Sequence, residues 1–592
     1  INGLDGPYTQ ILLDSRPIFS ALSGVYGIEQ IPASMIERVE VMRGGGSALF
    51  GSSAIAGTIN IITKEPMRNS GMLSHTITGI GDGDVFDNST ALNASLVTDD
   101  QRAGLYIFGQ NRHRSAYDHD GDGYSEIPKL HGQTIGFRSF LKTTTYSKLT
   151  FEYHHMEEFR RGGDLLNRPP HEANVAEQTE HSINGGGLKF DYFSPNENHR
   201  FNVFASAQHI NRDSYYGPGD RDPLDAYGNT TDLNWMAGSQ YVYSFGKCIF
   251  MPSDLTAGIE FNQDKLEDNM WGYNRTVDQK VNIGSAFLQN EWKNDHWGFL
   301  IGGRLDKHNL IDHVIFSPRA NLRYNPTENI NLRFSYSSGF RAPQAFDEDL
   351  HVENVGGNVA MVELADNLKE ERSQSLSASA DIYHRFGAFQ VNFLVEGFYT
   401  KLSDVFALTD GEVVDGILTR TRHNASGAQV LGLTLEGKMA YLNKIQVQAG
   451  VTLQQSHYSK PHIWNKEAPA VKKMMRTPNT YGYFTATYTP IKPLSIALSG
   501  TYTGSMLVPH EPVPGFLENP ITVNTKDFFD IGLKAAYDFK LYKSMNLQLN
   551  AGIQNIFNAY QDDFDKGADR DSGYIYGPSL PRSFFAGVKI SY

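Results

Sequence analysis

The chain has 592 residues and a mean hydropathy of −0.40, and no apolar run approaches the ~18–20 residues of a spanning helix. That excludes a helical membrane protein but not a transmembrane β-barrel, whose strands alternate lipid-facing and lumen-facing residues and average out as polar. A net charge of −14 argues against nucleic acid as a partner, and the single cysteine, Cys248, excludes a disulfide framework and suggests no zinc site.

In chain order, residues 1–66 stand apart because they do not alternate. SMIERVEVMRG (34–44) predicts a short helical turn leading into a strand, and AGTINIITKEP (56–66) predicts a compact strand ending at Pro66. The Pro66 break predicts a domain boundary, with 1–66 as one unit and 67–592 as the other. Between them, Gly46 and Gly51 have P-loop spacing, but Ser52 stands where the phosphate-binding lysine belongs. The glycines are read instead as positions of positive φ and close backbone approach.

From residue 70 onward the text has period two. SFFAGVKISY places Phe584, Ala586, Val588, Ile590 and Tyr592 on one face, against Ser583, Gly587, Lys589 and Ser591. About 22 such segments of roughly 9–15 residues follow one another, each long enough to cross a bilayer when tilted. Short connections (VTDDQR, FSPNEN, KNDHW, YNPTEN, TPIKP) alternate with long ones, the asymmetry of a barrel with turns on one rim and loops on the other. The predicted fold is therefore all-β: a 22-stranded antiparallel transmembrane β-barrel. A ring that wide needs a filling, and residues 1–66 are the predicted plug inside its lumen.

Two acidic loops stand out. In DHDGDGYSE, Asp118, Asp120 and Asp122 have the 1-3-5 spacing of an EF-hand start, but position 12 is Lys129, and Glu126 sits at position 9. Calcium held by Asp118, Asp120, Asp122 and Glu126 is weighed against a solvated loop. A second cluster joins Asp562, Asp563, Asp565, Asp569 and Asp571. No catalytic motif emerges: HEANV and HEPVP lack a second histidine, and no GxSxG occurs.

IERVEVMRGGGSALFGSSAIAGTINIITKEP (36–66) resembles the end of the plug of TonB-dependent outer-membrane receptors, with matches at Ile36–Glu40, Gly44, Ser47–Leu49, Gly51, Ala54, Gly57, Ile59–Ile61 and Lys64. ILLDSRP, GFRAP, DNLKEERS and NIFN extend the likeness across the chain. The resemblance implies a bacterial outer-membrane location, active import rather than enzymatic chemistry, no required cofactor, and TonB as partner. It also implies, for some members, a surface lipoprotein that captures the ligand. The TonB-contacting box and the first half of such a plug are expected to lie outside these residues. Cobalamin is the expected ligand, ahead of a ferric siderophore or haem; a passive channel or adhesin barrel is the rival class.

By the same resemblance, the plug's outward loops place Arg16, Phe19, Tyr26 and Ser53 toward ligand, with Tyr215, Tyr216, Trp271, Tyr273 and Trp464 closing over it from the long loops. His351 joins them because haem receptors of that family carry a loop histidine near the GFRAP motif, and imidazole ligates haem iron.

Overall fold

The computed structural model describes residues 1–4, 6–17, 31–218, 226–355 and 358–592. Twenty-two antiparallel strands close into a ring that runs from Ser70–Ile80 to Ser583–Ser591. The last strand pairs with the first from Ser583↔Ile80 to Ser591↔Met72, so no edge remains among them. A short segment, Val471–Lys473, adds a pairing at the outer end of one strand.

The alternation read from the sequence survives, with its sense reversed relative to a soluble sheet. On the final strand Phe584, Val588, Ile590 and Tyr592 are exposed, while Ser583 is buried. Apolar side chains face outward around the ring, including Leu73, Leu92, Ile135, Ile259, Ile301 and Leu549. Only a hydrocarbon solvent makes that arrangement stable, since each such residue in water forfeits about 1.5–3 kcal/mol of burial. Near the short-turn rim Trp297 stacks on Tyr324 at 4.2 Å and beside Phe299, as in an interfacial aromatic girdle.

The connections divide as expected. Tight turns at 249–250, 387–388 and 543–544 occupy one rim, and the long connections occupy the other. Several strands run further than the sequence suggested. Tyr227–Cys248 has 22 residues, or about 70 Å of chain at roughly 3.3 Å per residue. The stretch 265–278, read as a loop, is mostly paired strand with a connection of only four residues, 271–274. Paired hairpins therefore continue beyond the bilayer and wall an outer chamber.

Inside the ring lies a four-stranded sheet: β1 (Thr9–Leu13), β2 (Arg16–Pro17), β3 (Ile36–Arg43) and β4 (Gly57–Thr63), in the order β2-β1-β4-β3. β4 is central, parallel to β1 and antiparallel to β3, and is largely buried on both faces, its Thr58, Asn60 and Thr63 included. The turn predicted before β3 is the 3₁₀ segment Ala33–Met35. A single helical turn, α1 (Ser47–Phe50), ends at Gly51 with φ +79°. Gly57 enters β4 at φ +157°, where a Cβ would collide with the Met42 carbonyl. Of the two glycines with phosphate-loop spacing, Gly51 thus supplies a positive φ, while Gly46 has φ −103° and a Cβ there would crowd the Met42 and Thr58 side chains.

Side chains of this sheet fasten it to the wall on several sides. Arg43 pairs with Glu396 at 3.2 Å and with Glu436, and Tyr8 donates to Glu371 at 2.9 Å. Arg138 of the wall reaches Asp14 and Thr63, while Arg304 donates to the Leu49 carbonyl at 3.1 Å. Leu4, Tyr8, Ile55 and Ala56 pack on Phe398, Leu402, Val405, Ala428, Val430 and Met474. Replacing Arg43 leaves two wall carboxylates facing each other without a cation. Arg43→Ala is expected to destabilise plug seating by about 2 kcal/mol, below the value for a fully buried pair because the Arg43 side chain keeps 31% exposure. Hydrogen exchange of the β3 and β4 amides measures this, and adding Glu396→Gln and Glu436→Gln should recover most of the protection.

Candidate functional site

The outer chamber is roofed by the long loops, which build secondary structure of their own. Glu353–Val355, Asn358–Leu364, Ile417–Asn424 and Phe406–Val414 form a four-stranded sheet, and Leu507–His510 pairs with Ile521–Asn524. Arg420 joins three loops, at 2.8 Å from Glu353, 3.0 Å from Asp410 and 3.1 Å from Glu511. Asn465 bridges Asp410 and Glu511 from a fourth, and the Glu511 amide donates to Asp571 of a fifth. Beneath them the turn Asp347–Leu350 dips inward, with Glu348 held by Arg341 and Arg422, and Asp349 by Arg422.

Under this roof a cavity opens between the outer ends of the wall strands and the loops. Tyr124, Glu126, Arg160, Glu177, Tyr216, His351, Glu353, Phe564, Asp565, Arg570, Asp571 and Tyr574 line it. His351 stands edge-on to Tyr216, ring centroids 5.2 Å apart, and its Nδ1 lies 3.9 Å from Glu177. The Tyr574 ring stacks flat on His510 at 3.7 Å, and His510 is hydrogen-bonded to Asp565 at 3.0 Å. Five carboxylates thus meet two arginines, so the cavity is acidic with aromatic faces.

The residues expected to touch ligand divide among several places. Tyr216 and His351 line the cavity together. Tyr215 and Tyr273 are buried behind it, in an inter-loop core with Met270, Val352 and Met361, and the Tyr273 hydroxyl donates to the Tyr216 carbonyl. Trp464 is buried in the roof beside Asn465, and Trp271 projects into solvent at a hairpin tip. Ser53 lies on the plug's outer turn, where its amide donates to the Phe340 carbonyl at 2.9 Å. Arg16 is paired with Leu13 in the β1–β2 hairpin, and its guanidinium meets Glu152 of the wall rather than the loops' cavity. Phe19 and Tyr26 lie outside the described residues.

The acidic loop keeps part of its expected set. Carboxylate oxygens of Asp118, Asp120 and Glu126 lie within 4.8 Å of one another. Asp122 turns instead to Arg570 and the Gly567 amide, and Arg570 also reaches Glu126 at 3.1 Å. Lys566 stands 3.5 Å from Asp120, and Arg570 reaches Glu126 from 444 residues downstream, so the far end of the chain supplies cations to this loop. The second acidic cluster is likewise partnered: Asp562 by Lys526, Asp563 by Tyr574 and Tyr576, Asp565 by His510. Tyr124, Arg160, Phe564, Arg570 and Tyr574 were not anticipated as cavity residues.

Two roof carboxylates are poised near neutrality. Burial pushes Glu511 up to about 7, against the pull of Arg420 and with help from Asp410 and Asp571. Burial likewise raises Asp349 to about 6 despite Arg422. A carboxyl that binds its proton more tightly when folded stabilises the roof below its unfolded pKa, and that contribution is lost as pH rises through the folded value. Loop protection should therefore fall between about pH 4.5 and 7, read by hydrogen exchange over 504–527, and Glu511→Gln should flatten the dependence.

Comparison with known proteins agrees with this architecture. The family model "TonB dependent receptor-like, beta-barrel" matches residues 71–556, and "TonB-dependent Receptor Plug Domain" matches residues 1–58. An iron-regulated outer membrane virulence protein of Vibrio cholerae is 26% identical over 383 residues, covering 61% of this chain and 54% of its own length. The vitamin B12 transporter BtuB of Vibrio vulnificus is 23% identical over 360 residues, covering 59% of this chain and 54% of its own. The chain thus aligns with about half the length of the curated relatives it matches. Among solved structures, the siderophore receptor PirA from Acinetobacter baumannii superposes with a TM-score of 0.79 at 16% identity, covering 100% of this chain and 92% of that one. The chain belongs to the TonB-dependent receptors of the bacterial outer membrane, a family of transporters rather than enzymes.

Proposed function

We propose that this chain imports cobalamin across the outer membrane, with TonB drawing on the plug to open the way. The observation that carries the ligand choice is the lining of the outer cavity, where Glu126, Glu177, Glu353, Asp565 and Asp571 stand with Arg160 and Arg570, and where Arg420 pairs Glu353 and His510 pairs Asp565 from behind. A tris-catecholate ferric complex is a trianion and haem carries two propionates; both are repelled by such a wall. Cyanocobalamin is neutral overall, with a broad apolar ring edged by amides. It suits a cavity with aromatic faces at Tyr124, Tyr216 and Tyr574 and with carboxylates that accept amide hydrogen bonds.

Haem is the second reading, because His351 presents an imidazole to the cavity. Glu177 and Glu353 beside it oppose the propionates. A passive channel is disfavoured by the plug, which is fastened to the wall by Arg43, Arg138 and Arg304. A surface lipoprotein that hands over cargo belongs to the same proposal, with the solvent-facing Trp271 and Phe516 of the loop tips as apolar surface for it.

Titration of the purified receptor with cyanocobalamin, haemin and ferric enterobactin tests the choice. Cyanocobalamin is expected to bind tightest, with an affinity nearly independent of salt because the cargo is neutral. Tyr216→Ala and His351→Ala should each weaken it about tenfold, the loss of one aromatic anchor, whereas Trp271→Ala should leave it unchanged. Tightest binding of haemin or of the ferric chelate would sink the assignment, and a steep salt dependence would count equally against it.

A further inference from the structure

One wall strand, Ser147–Gly163, is the fifth of the 22 around the ring, and its even-numbered residues point inward. Read from the short-turn rim upward, Thr150 and Glu152 line a large polar cavity with Asp14, Arg16, Glu37 and Arg138. Glu152 and His154 line a second, smaller cavity with Gly185, Gln208 and Asn234. Met156 packs in an apolar cluster with Ile183, Ile210, Leu266 and the fully buried Leu350. Arg160 and Gly162 then line the outer cavity. Successive inward positions on a strand are two residues apart, about 7 Å, so these chambers lie in series along one face.

Two things separate the chambers. Leu350, at the end of the inward turn, packs on Met156 of this strand, and the residues after it, His351 and Val352, line the outer cavity. Its carbonyl is held by Arg275 at 2.9 Å. Arg16 and Glu152 border both lower cavities and form the ion pair between them. The wall beside that pair is Gly185-Gly186-Gly187, and a Cβ on Gly187 would collide with the Arg16 guanidinium. Half the ring away, the sixteenth strand Ala428–Tyr441 presents Glu436 to Arg43, and Ala428 and Val430 to the apolar cluster of Leu4, Tyr8, Ile55 and Ala56. The plug is thus packed on the wall at the sixteenth strand and, through Leu13, Met35 and Ile61, on Tyr106 and Phe108 of the third, while along the fifth strand it is bordered by polar cavities, with Arg138 of the fourth paired to Asp14.

We propose that cargo crosses between plug and wall along the inner face of Ser147–Gly163, through two seals in series: Leu350 above and the Arg16–Glu152 pair below. Arg16 and Glu152 are positioning residues that hold the plug shut on this side, and the Arg43 side acts as the hinge that stays attached. The route rests on the import reading, yet conductance reads the passage without cargo, so a wrong ligand and a wrong route give different results.

The test is single-channel conductance of the purified receptor in planar bilayers. Arg16→Ala and Leu350→Ala are expected to stay closed singly, because either remaining seal blocks the path. Together they should give stepwise conductance several-fold above the sum of the two singles. Arg43→Ala combined with Leu350→Ala should stay as closed as the parent. Glu152→Gln replaces Arg16→Ala in the pair if circular dichroism shows that the first combination has lost its β-structure. The route is overturned if the double variant stays closed, if either single variant conducts, or if the Arg43 combination conducts equally.

Discussion

Hydrocarbon offers no hydrogen-bond partner to a backbone amide, and the whole architecture follows from that. A sheet in lipid must close on itself, so the strand Ser583–Ser591 has to find Ser70–Ile80 across the full length of the barrel. Closure at 22 strands leaves a lumen far too wide for side chains to fill. The four-stranded inner sheet fills it, and every polar group on its surface must then be satisfied against the wall. Hence the plug meets the barrel through ion pairs as well as apolar packing: Arg43 with Glu396 and Glu436, Arg138 with Asp14, Arg16 with Glu152. Such contacts hold only while both partners stay in register, which suits a filling that has to be held and later moved.

The same economy governs the outer loops. A chain with net charge −14 places many of its carboxylates over the mouth, and a few arginines organise them: Arg420 at a three-loop junction, Arg422 and Arg341 on the inward turn, Arg570 between the first and last acidic loops. At the cavity Glu126 and Glu353 are drawn into the same pairing, with Arg570 and Arg420. That arrangement arises from which loops meet rather than from any single motif.

Much of the fold was legible because a strand's period is two whatever surrounds it. The alternation at 583–592 and the rhythm of short and long connections specify a barrel without reference to distant residues. The inner strand β4 was readable as a compact strand ending before Pro66, and the glycines ahead of it as turn geometry. Strand ends were less legible, since hairpins that leave the membrane keep pairing in water and no change in pattern marks the bilayer surface. Tyr216 was named as an aromatic loop residue and His351 through the resemblance of its loop, and both line the outer cavity. The partner of Arg16 was not legible, because its motif identifies the segment, whereas the face it turns to depends on the β1–β2 hairpin register.

By itself, then, the sequence determined the class of solvent, the strand-by-strand build of the ring, the presence of an inner domain and the family, all of which are written in local periodicity and short motifs. The tertiary structure alone decided which residues share a cavity. Glu126 meets Arg570 across 444 positions because ring closure brings the first and last loops together, and Glu353 meets Arg420 because three loops fold over one mouth. Pairings of that kind follow from closure of the whole chain, and no local pattern encodes them.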